Sequence, residues 1–593
     1  MSAYPLKAWQ FVGCILAVFL FLPHPSQAQE PSQPAYAAYQ AGVAALSRND
    51  FNTALQEFEK VVRLSPSLEQ GHSALGTVLV RTGRTSEGIR ELQKALAMNP
   101  NDGSTQLNLA LAYDQTGQFA KALPLFAKLE AVSRTGKHPL PATVVAAYAR
   151  SLAATQQLSA AIARMKEAVA EDPHNAELQD DLGSLYAEHE DWPNAKQAFT
   201  TALQANPDLA TAHLHLGMTL WAQQQPGALE ELTKAYQLAP ENARIALQLG
   251  QALASNGNDE QAIPLLQHAL ELDPKSTPAA YQLGLALQRT GKANDAIPLL
   301  QKAAEADAAN AEVLINLGLA LCQVQRAKEA VPVLQRAVSL APGNITAHQD
   351  LAAAYVQLNQ LDDAVSQLRA ALKLSPNAPQ LHYNLGLAFK MQDNATDAIP
   401  ELAAAEKLDS SAPEPPYALG LLYLQAGHYA DAAQELNTSL KLQPENGEAW
   451  ATLGSVYNHL DKLPEAAAAL QEAIRRLPQQ PDPHLTLAAV LAKQNQPAEA
   501  TAERKIAADL MRANMNRQRA EVASNSGDSL LKSGKLEDAI VEFRNALSYD
   551  PDYPRAHLGL ANALQQQGNN IEAAAERQKA ETLAKSPVLP DHH

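Results

Sequence analysis

The chain of 593 residues has few of the residue types that form cross-links or fill large cores. It contains two cysteines, Cys14 and Cys322, and aromatic residues make up only 5% of it. Because hydrophobic residues still account for 46%, a core must be built from small aliphatic side chains, which suits closely packed helices. The length exceeds what one core usually holds, so the chain is either several domains or an elongated repeat.

Positive charge is also scarce. Lysine and arginine number 46 against 63 aspartates and glutamates, which gives a formal net charge of -17. Proteins that bind nucleic acid without regard to sequence neutralise phosphates with lysine and arginine, so this balance argues against nucleic acid as a partner. An acidic surface of this kind is typical of a solvated protein, and it would also suit a basic partner.

Long apolar runs are absent except near the amino terminus. Lys7, the apolar run 11–22 and the small residues of 26–28 match the three parts of a secretory signal peptide. The run is shorter than the roughly 20 residues that span a bilayer, and no other segment is apolar enough. We therefore expect a signal peptide in 1–28, no transmembrane segment after its cleavage, and a periplasmic or secreted protein.

Removal of that peptide would also remove Cys14. Only Cys322 would remain, so the mature monomer could form no internal disulfide. Cys322 lies in an apolar helical pattern, which predicts a small buried side chain.

Motifs of catalysis, metal binding and cofactor binding are missing as well. The sequence has no glycine-rich phosphate loop, no H-E-x-x-H helix and no G-x-S-x-G elbow. The segment 529–532 fits S-x-x-K, but its partner motifs are absent. His213 and His215 are two positions apart, so they would diverge on a helix. We expect no enzyme activity, no cofactor and no metal.

A period of 34 residues takes the place of such motifs. A glycine or alanine recurs at this spacing, as at Gly250, Gly284 and Gly318, and we call it the first marker. A second small residue, the second marker, lies twelve positions later, or eleven in one copy, as at Ala262. A large apolar residue follows after four more positions, and a proline closes most copies. These markers predict about sixteen copies.

The pattern within each copy predicts two antiparallel helices. In "WATLGSVY" the spacing places Trp450, Leu453, Gly454 and Tyr457 on one helical face. The two small markers, here Gly454 and Ala466, would let the paired helices approach closely. The closing proline would end the second helix.

This pattern resembles the tetratricopeptide repeat family, whose signature is W-x2-L-G-x2-Y, then A-x3-F, then P at a period of 34. The match covers nearly all of 35–586, although most copies lack the initial tryptophan. The resemblance implies an all-α fold, namely a right-handed α-solenoid of antiparallel helix pairs whose first helices line a concave groove.

Two interruptions of the period predict boundaries. Five extra residues fall in 133–141, where glycine and proline indicate a loop that is a tolerated insertion, a joint or a partner-binding loop. Five more follow the fourteenth copy, where 502–523 lacks glycine and proline and predicts an extended helix. We expect repeats 1–3 in 29–132, repeats 4–14 in 142–515, an appended module of repeats 15–16 in 516–586 and a disordered tail in 587–593.

The second interruption is locally basic in an acidic chain. Lys505, Arg512, Arg517 and Arg519 lie within it. They either contact an acidic partner or form a solvated helix face.

The resemblance also implies which residues face the groove. The residue two positions before the first marker is polar in many copies, and a tyrosine precedes it in three. Amides both donate and accept, so a row of them can bond an extended peptide without reading its sequence. The row is similar to the asparagine ladder of O-linked N-acetylglucosamine transferases. The alternative is that these are solvated helix positions. The candidate groove residues are Asn108, Asp181, His215, Gln248, Tyr281, Gln282, Asn316, Asp350, Tyr383, Asn384 and Tyr417.

These observations favour a non-enzymatic scaffold that binds extended or helical protein segments in its groove and organises an envelope or extracellular assembly. One alternative is a substrate-recognition arm for a separately encoded glycosyltransferase or peptidase. Another is a periplasmic component of polysaccharide export, with polysaccharide as a further partner. Fold alone does not choose among them.

Overall fold

A computed structural model of the protein describes residues 32–136 and 139–585. Within these ranges the chain forms 31 α-helices and no strand. The predicted signal peptide and the predicted tail lie outside the described residues, as do 137 and 138 in the predicted loop. The prediction of an all-α fold is confirmed.

The chain divides into two compact units, Met1–Ala308 and Ala309–His593. The helices of the first unit are α1 Gln33–Ser47, α2 Phe51–Leu64, α3 Glu69–Arg81, α4 Thr85–Met98, α5 Gly103–Gln115, α6 Phe119–Gly136, α7 Ala142–Ala154, α8 Leu158–Glu171, α9 Ala176–Glu188, α10 Trp192–Ala205, α11 Ala210–Ala222, α12 Ala228–Leu238, α13 Ala243–Ser255, α14 Asp259–Leu272, α15 Thr277–Arg289 and α16 Ala293–Ala306.

The second unit continues the same arrangement. Its helices are α17 Ala311–Gln323, α18 Ala327–Leu340, α19 Ile345–Gln357, α20 Leu361–Leu374, α21 Pro379–Met391, α22 Ala395–Leu408, α23 Glu414–Gln425, α24 Tyr429–Leu442, α25 Gly447–His459, α26 Leu463–Arg476, α27 Pro481–Lys493, α28 Pro497–Lys532, α29 Leu536–Tyr549, α30 Pro554–Gln566 and α31 Asn570–Lys585.

Consecutive helices pack as pairs, and each pair packs on the next within its unit. We call the two members of a pair the first and second helix. The long helix α28 packs on both α27 and α29, so it is the second helix of one pair and the first of the next. The unit boundary falls inside the expected array of repeats 4–14, and the expected boundary at 515/516 falls inside α28. The appended module stays a prediction.

The two small markers lie where the paired helices cross. A Cβ atom added at Gly386 would lie 2.6 Å from Cγ of Leu402, and Ala398 is fully buried beside them. The large residue four positions after the second marker is also fully buried, as at Phe58 and Phe543. These crossings are the cores of the pairs.

The turn inside each pair holds a residue in the left-handed region, and the turn between α11 and α12 holds two, Gln224 and Gly227. Seven of these turns use glycine, such as Gly291 with φ 77°, but nine use a residue with a side chain, such as Gln325 with φ 60°. An L-residue pays a steric penalty there because its Cβ crowds the carbonyl oxygen, whereas glycine does not.

Gln325→Gly is therefore expected to stabilise the protein by roughly 1 kcal/mol. The measurement is the urea midpoint of unfolding, followed by circular dichroism. Gly291→Ala is the matched reverse change and is expected to lower the midpoint. Equal midpoints for both variants and the wild type would contradict the strain at this turn.

Candidate functional site: the faces of the first helices

All candidate groove residues lie on first helices. Six fall in the first unit, on α5 (Asn108), α9 (Asp181), α11 (His215), α13 (Gln248) and α15 (Tyr281 and Gln282). Five fall in the second unit, on α17 (Asn316), α19 (Asp350), α21 (Tyr383 and Asn384) and α23 (Tyr417). Asn108 and His215 are buried, and the other nine are partly exposed.

In the first unit, the two buried candidates bond to the preceding pair. Nδ2 of Asn108 donates to Oγ1 of Thr77 at 2.9 Å. Nδ1 of His215 lies 2.9 Å from Oδ1 of Asp180 and within reach of Ser184. These polar side chains join neighbouring pairs inside the unit.

Asp181 belongs to an ionic cluster that the sequence did not reveal. Arg150 of α7 donates to Oδ2 of Asp114 at 2.9 Å, and its other terminal nitrogen lies 3.7 Å from Oδ2 of Asp181. Ser151 donates to Oδ1 of Asp114 at 3.1 Å. Burial raises the pKa of Asp181 to about 7, and the charges of Asp180 and Asp114 add to this, while Arg150 opposes it. The guanidinium of Arg150 thus interacts with one carboxyl group from each of the two adjoining pairs.

In the second unit, the carboxyl group of Asp350 is partly buried without a full set of hydrogen-bond donors. Its Oδ2 atom is buried and accepts no hydrogen bond from the described residues. Burial raises its pKa to about 6. The nearby thiol of Cys322 is buried, as predicted, and burial together with the charge of Asp350 raises the pKa of that thiol to about 11.

Asp350→Asn is expected to stabilise the protein at pH 8 and to have little effect below about pH 4. With its pKa raised from 3.8 to about 6, the folded state binds this proton more tightly than the unfolded state. The ionised carboxylate therefore costs stability as the pH rises through that window, by roughly 1–3 kcal/mol. Urea midpoints at pH 4 and pH 8 measure the difference. Exposed Asp363, changed to asparagine, is the control, and an Asp350→Asn effect independent of pH would contradict the burial cost.

Two tyrosines of the second unit each lie near an acid of the following pair. Burial raises the pKa of Tyr383, and the charge of Glu414 adds to it. Burial likewise raises the pKa of Tyr417, with a further contribution from Glu448. The first-helix face of α21 and α23 therefore combines partly exposed phenol rings with carboxylates.

The amides of this face are partly engaged within their own helices. Nδ2 of Asn316 donates to the carbonyl oxygen of Glu312 at 3.0 Å. Oδ1 of Asn384 accepts from Nε2 of Gln380 at 3.0 Å. This bond does not use Nδ2 of Asn384, so that atom can donate to a backbone carbonyl of an extended segment.

Histidine replaces the signature tryptophan in six pairs, a recurrence that is visible in the sequence four positions before the first marker but was not among the predicted site residues. In the pair that keeps the tryptophan, Nε1 of Trp450 donates to the carbonyl oxygen of Pro444 at 2.8 Å. In His382 the ring nitrogen Nε2 lies 2.9 Å from the Pro376 oxygen, and Nδ1 lies 2.6 Å from Oε2 of Glu401. The six histidines with their second-helix partners are His72 with Glu91, His213 with Glu231, His348 with Gln367, His382 with Glu401, His484 with Glu503 and His557 with Glu576.

Five of these histidines also contact a proline carbonyl oxygen of the preceding turn through Nε2, so they clamp that turn to the pair. A carbonyl oxygen and a carboxylate oxygen can only accept, so a ring between them bonds to both when each ring nitrogen carries a proton. Burial lowers the pKa of His382, but its bonds to Glu401 and Pro376 and the charge of Glu401 outweigh burial and raise it above 6.5.

Glu401→Gln is expected to lower the pKa of His382. The stabilisation from the protonated ring is fully present below about pH 6.5 and is lost as the pH rises through the folded pKa, so the variant should lose stability mainly on the acid side. An NMR titration of the His382 ring protons measures the shift. Glu414→Gln, on another helix, is the control, and an unshifted His382 in Glu401→Gln would contradict the clamp.

The described residues contain no group of three or more metal-ligating side chains placed to hold an ion. In the same part of the chain, every helix is too short or too polar to cross a bilayer.

Models of the tetratricopeptide repeat match residues 73–136, 181–227, 222–287, 281–345 and 417–481. A further TPR repeat model matches 352–393 and 527–568. The matches thus recur through both units.

Similarity to individual proteins is partial. The chain is 30% identical over 150 residues to cellulose synthase operon protein C of Xanthomonas axonopodis pv. citri (strain 306), covering 25% of this chain and 10% of that protein. It is 28% identical over 93 residues to photosystem I assembly protein Ycf3 of Synechococcus sp. (strain CC9605), covering 15% of this chain and 54% of that protein. The chain therefore spans about half the length of the second relative and far less of the first.

Among solved structures, the chain is similar to YrrB, described as a TPR protein with an unusual peptide-binding site. The identity is 27%, the match covers 34% of this chain and 100% of that chain, and the TM-score is 0.29. The recurring helix pairs, their small-residue crossings and the matched repeat models together show that the chain belongs to the tetratricopeptide repeat family.

Proposed function

We propose that the protein is a non-enzymatic scaffold whose first-helix face in the second unit binds extended or helical segments of other proteins. Through them it would organise an envelope or extracellular assembly. The sequence of 1–28 supports export to the periplasm or beyond. The tetratricopeptide repeat family supports protein partners, and the first-helix faces offer the surface.

Asp350 carries this proposal. A carboxyl oxygen buried without a donor costs stability, and such a group at a surface face is more readily explained by a partner than by folding. Because the rest of the Asp350 side chain is partly exposed, a basic side chain of a bound segment would compensate the charge of the carboxylate from the surface. Tyr383 and Tyr417 would add partly exposed rings beside it, which bury large area at low entropic cost.

The working face is thereby assigned to α17–α23. In the first unit the corresponding side chains Asn108 and His215 already bond to neighbouring pairs. A segment that bound there would have to break those bonds first.

The test uses mature protein from Gln29 onward and a variant with Asn316→Ala, Asp350→Ala and Asn384→Ala. Each is immobilised, and the proteins it retains from a native envelope extract are compared by quantitative mass spectrometry. We expect the variant to lose a specific set of proteins while keeping its helical circular dichroism.

The matched control carries Asp363→Ala and Asn377→Ala, which remove an exposed acid and an exposed amide outside the first-helix face. It should retain the same proteins as the wild type. Identical retention by all three proteins would contradict the assignment of this face.

Polysaccharide export is the second candidate. Its support is the partial similarity to cellulose synthase operon protein C. A scaffold of this kind would retain a synthase or pore component from the extract, and the mature protein would be retarded on a cellulose column. Passage through the column at the void volume, with no such component retained, would contradict this candidate.

A further inference from the structure

The α28–α29 pair lacks a separate preceding second helix, whereas the next first helix, α30, packs on α29. The 36 residues of α28 serve as the second helix of one pair and the first helix of the next. Because α28 is one continuous helix, its amino-terminal part cannot fold back and pack against its carboxyl-terminal part. The face of the α28–α29 pair that would meet a preceding second helix is therefore open.

The exposure of Val522 marks this opening. Val522 lies five positions before the first marker Gly527 and is 71% exposed. The equivalent residues Ala449 and Ala556 are fully buried. Ala556 clusters with Ala546 of α29, the second helix that precedes it. In the regular pairs, a small residue of the preceding second helix thus covers this position.

The next position is also different. Ala523 occupies the place of the histidine or tryptophan ring found in other pairs, such as His484, which lies 2.5 Å from Glu503. Ala523 has no ring to bond to Glu542, the acid opposite it. The result is a groove of about 570 Å³ between α28 and α29, lined among others by Met515, Arg519, Val522 and Tyr549.

The charged residues that line the groove are Arg519 on α28 and Glu542 on α29, and the α28 side continues into a basic segment. The segment 502–523 holds five basic and three acidic residues, a local charge of +2 in a chain of -17. Arg519 lies over the ring of Tyr549 at 5.9 Å from its centroid, at the side of the groove. Arg512 lies seven residues, about two helical turns, before Arg519 on the same helix. Acidic groups beside the apolar stripe of a partner helix would therefore complement the α28 side of the groove, across from Glu542 on α29.

We propose that the groove between α28 and α29 docks one helix of a partner protein, presenting a stripe of small apolar residues flanked by acids. The partner helix takes the place that a preceding second helix takes in the regular pairs. Its small residues lie on Val522 and Met515, and its acids face Arg512 and Arg519. This site is distinct from the first-helix face of α17–α23, and the two can be tested separately.

The probe is a side-chain-linked helical peptide with the sequence of α22, residues 395–408. In its own pair this helix buries Ala398 and Ala405, and it carries three acids and one lysine. The full mature chain is labelled with an environment-sensitive fluorophore at Val522→Cys. The native thiol of Cys322 is buried and its pKa is raised to about 11, so the label goes to the new cysteine.

We expect a saturable fluorescence change at position 522 as the peptide is added. The matched control is Val541→Cys, which is 55% exposed on α29 and does not line the groove. A label there should not respond. No saturable change at 522, or equal changes at both positions, would overturn the proposal.

Charge reversal tests the identity of the occupant. Arg512→Glu with Arg519→Glu should weaken binding of the α22 peptide about tenfold, since two exposed ion pairs are lost and two repulsions gained. A peptide with Asp397→Lys and Glu401→Lys should recover that loss. Unchanged affinity in the double variant would overturn the acidic partner. Concentration-dependent dimerisation of the unlabelled chain that Val522→Glu abolishes would also overturn it, in favour of a second copy as the occupant.

Discussion

Gly454→Val is expected to lower the free energy of unfolding by about 2–3 kcal/mol, near the top of the range for overpacked cores. A Cβ atom at this position would lie 2.5 Å from Cγ and 2.8 Å from Cδ2 of Leu470. Leu470 is fully buried on α26 and has no free space into which to move. The gain in helix propensity on replacing glycine, about 0.5 kcal/mol, does not offset this.

Urea unfolding followed by circular dichroism measures the effect. Gly343→Val is the matched control, because a Cβ atom there would meet nothing within 4 Å. Leu470→Ala in the Gly454→Val background should recover part of the loss, since the extra methyl groups would fill the vacated space. Equal midpoints for the two valine variants would contradict the close crossing of α25 and α26.

Arg150→Met is expected to cost about 3–5 kcal/mol, because it leaves buried carboxylates without their counter-charge. The side chains of Arg150 and Asp114 are 14% and 6% exposed, so solvent screens the pair weakly. The loss should be largest at high pH. As the pH falls toward 7 and below, protonation of Asp181, whose pKa is raised to about 7, removes part of the uncompensated charge.

Urea midpoints at pH 6 and pH 8.5 measure both effects. Arg84→Met is the control, since Arg84 and its partner Glu87 are both 44% exposed and such pairs contribute under about 1 kcal/mol. If Arg150→Met and Arg84→Met shift the midpoint equally, the cluster does not join α5, α7 and α9 as described.

The small markers allowed the crossings to be predicted from the sequence alone. Glycine or alanine at a 34-residue spacing is constrained by two backbones in contact, so the pattern reports directly on packing, as Gly454 and Ala466 show. The extension of α28 was predictable for a similar reason. No glycine or proline interrupts 502–523, and nothing in it ends a helix.

The side chains of the first-helix faces were harder to predict. Whether Asn108 faces solvent depends on Thr77 in the preceding pair, and a spacing rule within one copy contains no such information. The Arg150 cluster arises in the same way, from residues about 30–37 positions apart. The histidines looked like departures from the tryptophan signature, yet His382 and Trp450 both donate to a proline carbonyl of the preceding turn.

Site-specific photocrosslinking shows whether protein segments bind the first-helix face of the second unit. A photoreactive amino acid is placed at Asn384 on α21 or at exposed Asp363 on α20, and the full chain is irradiated in the cells that produce it. We expect crosslinks to partner proteins from position 384 and few from position 363. Crosslinks from 363 but not from 384 would contradict binding at the first-helix face.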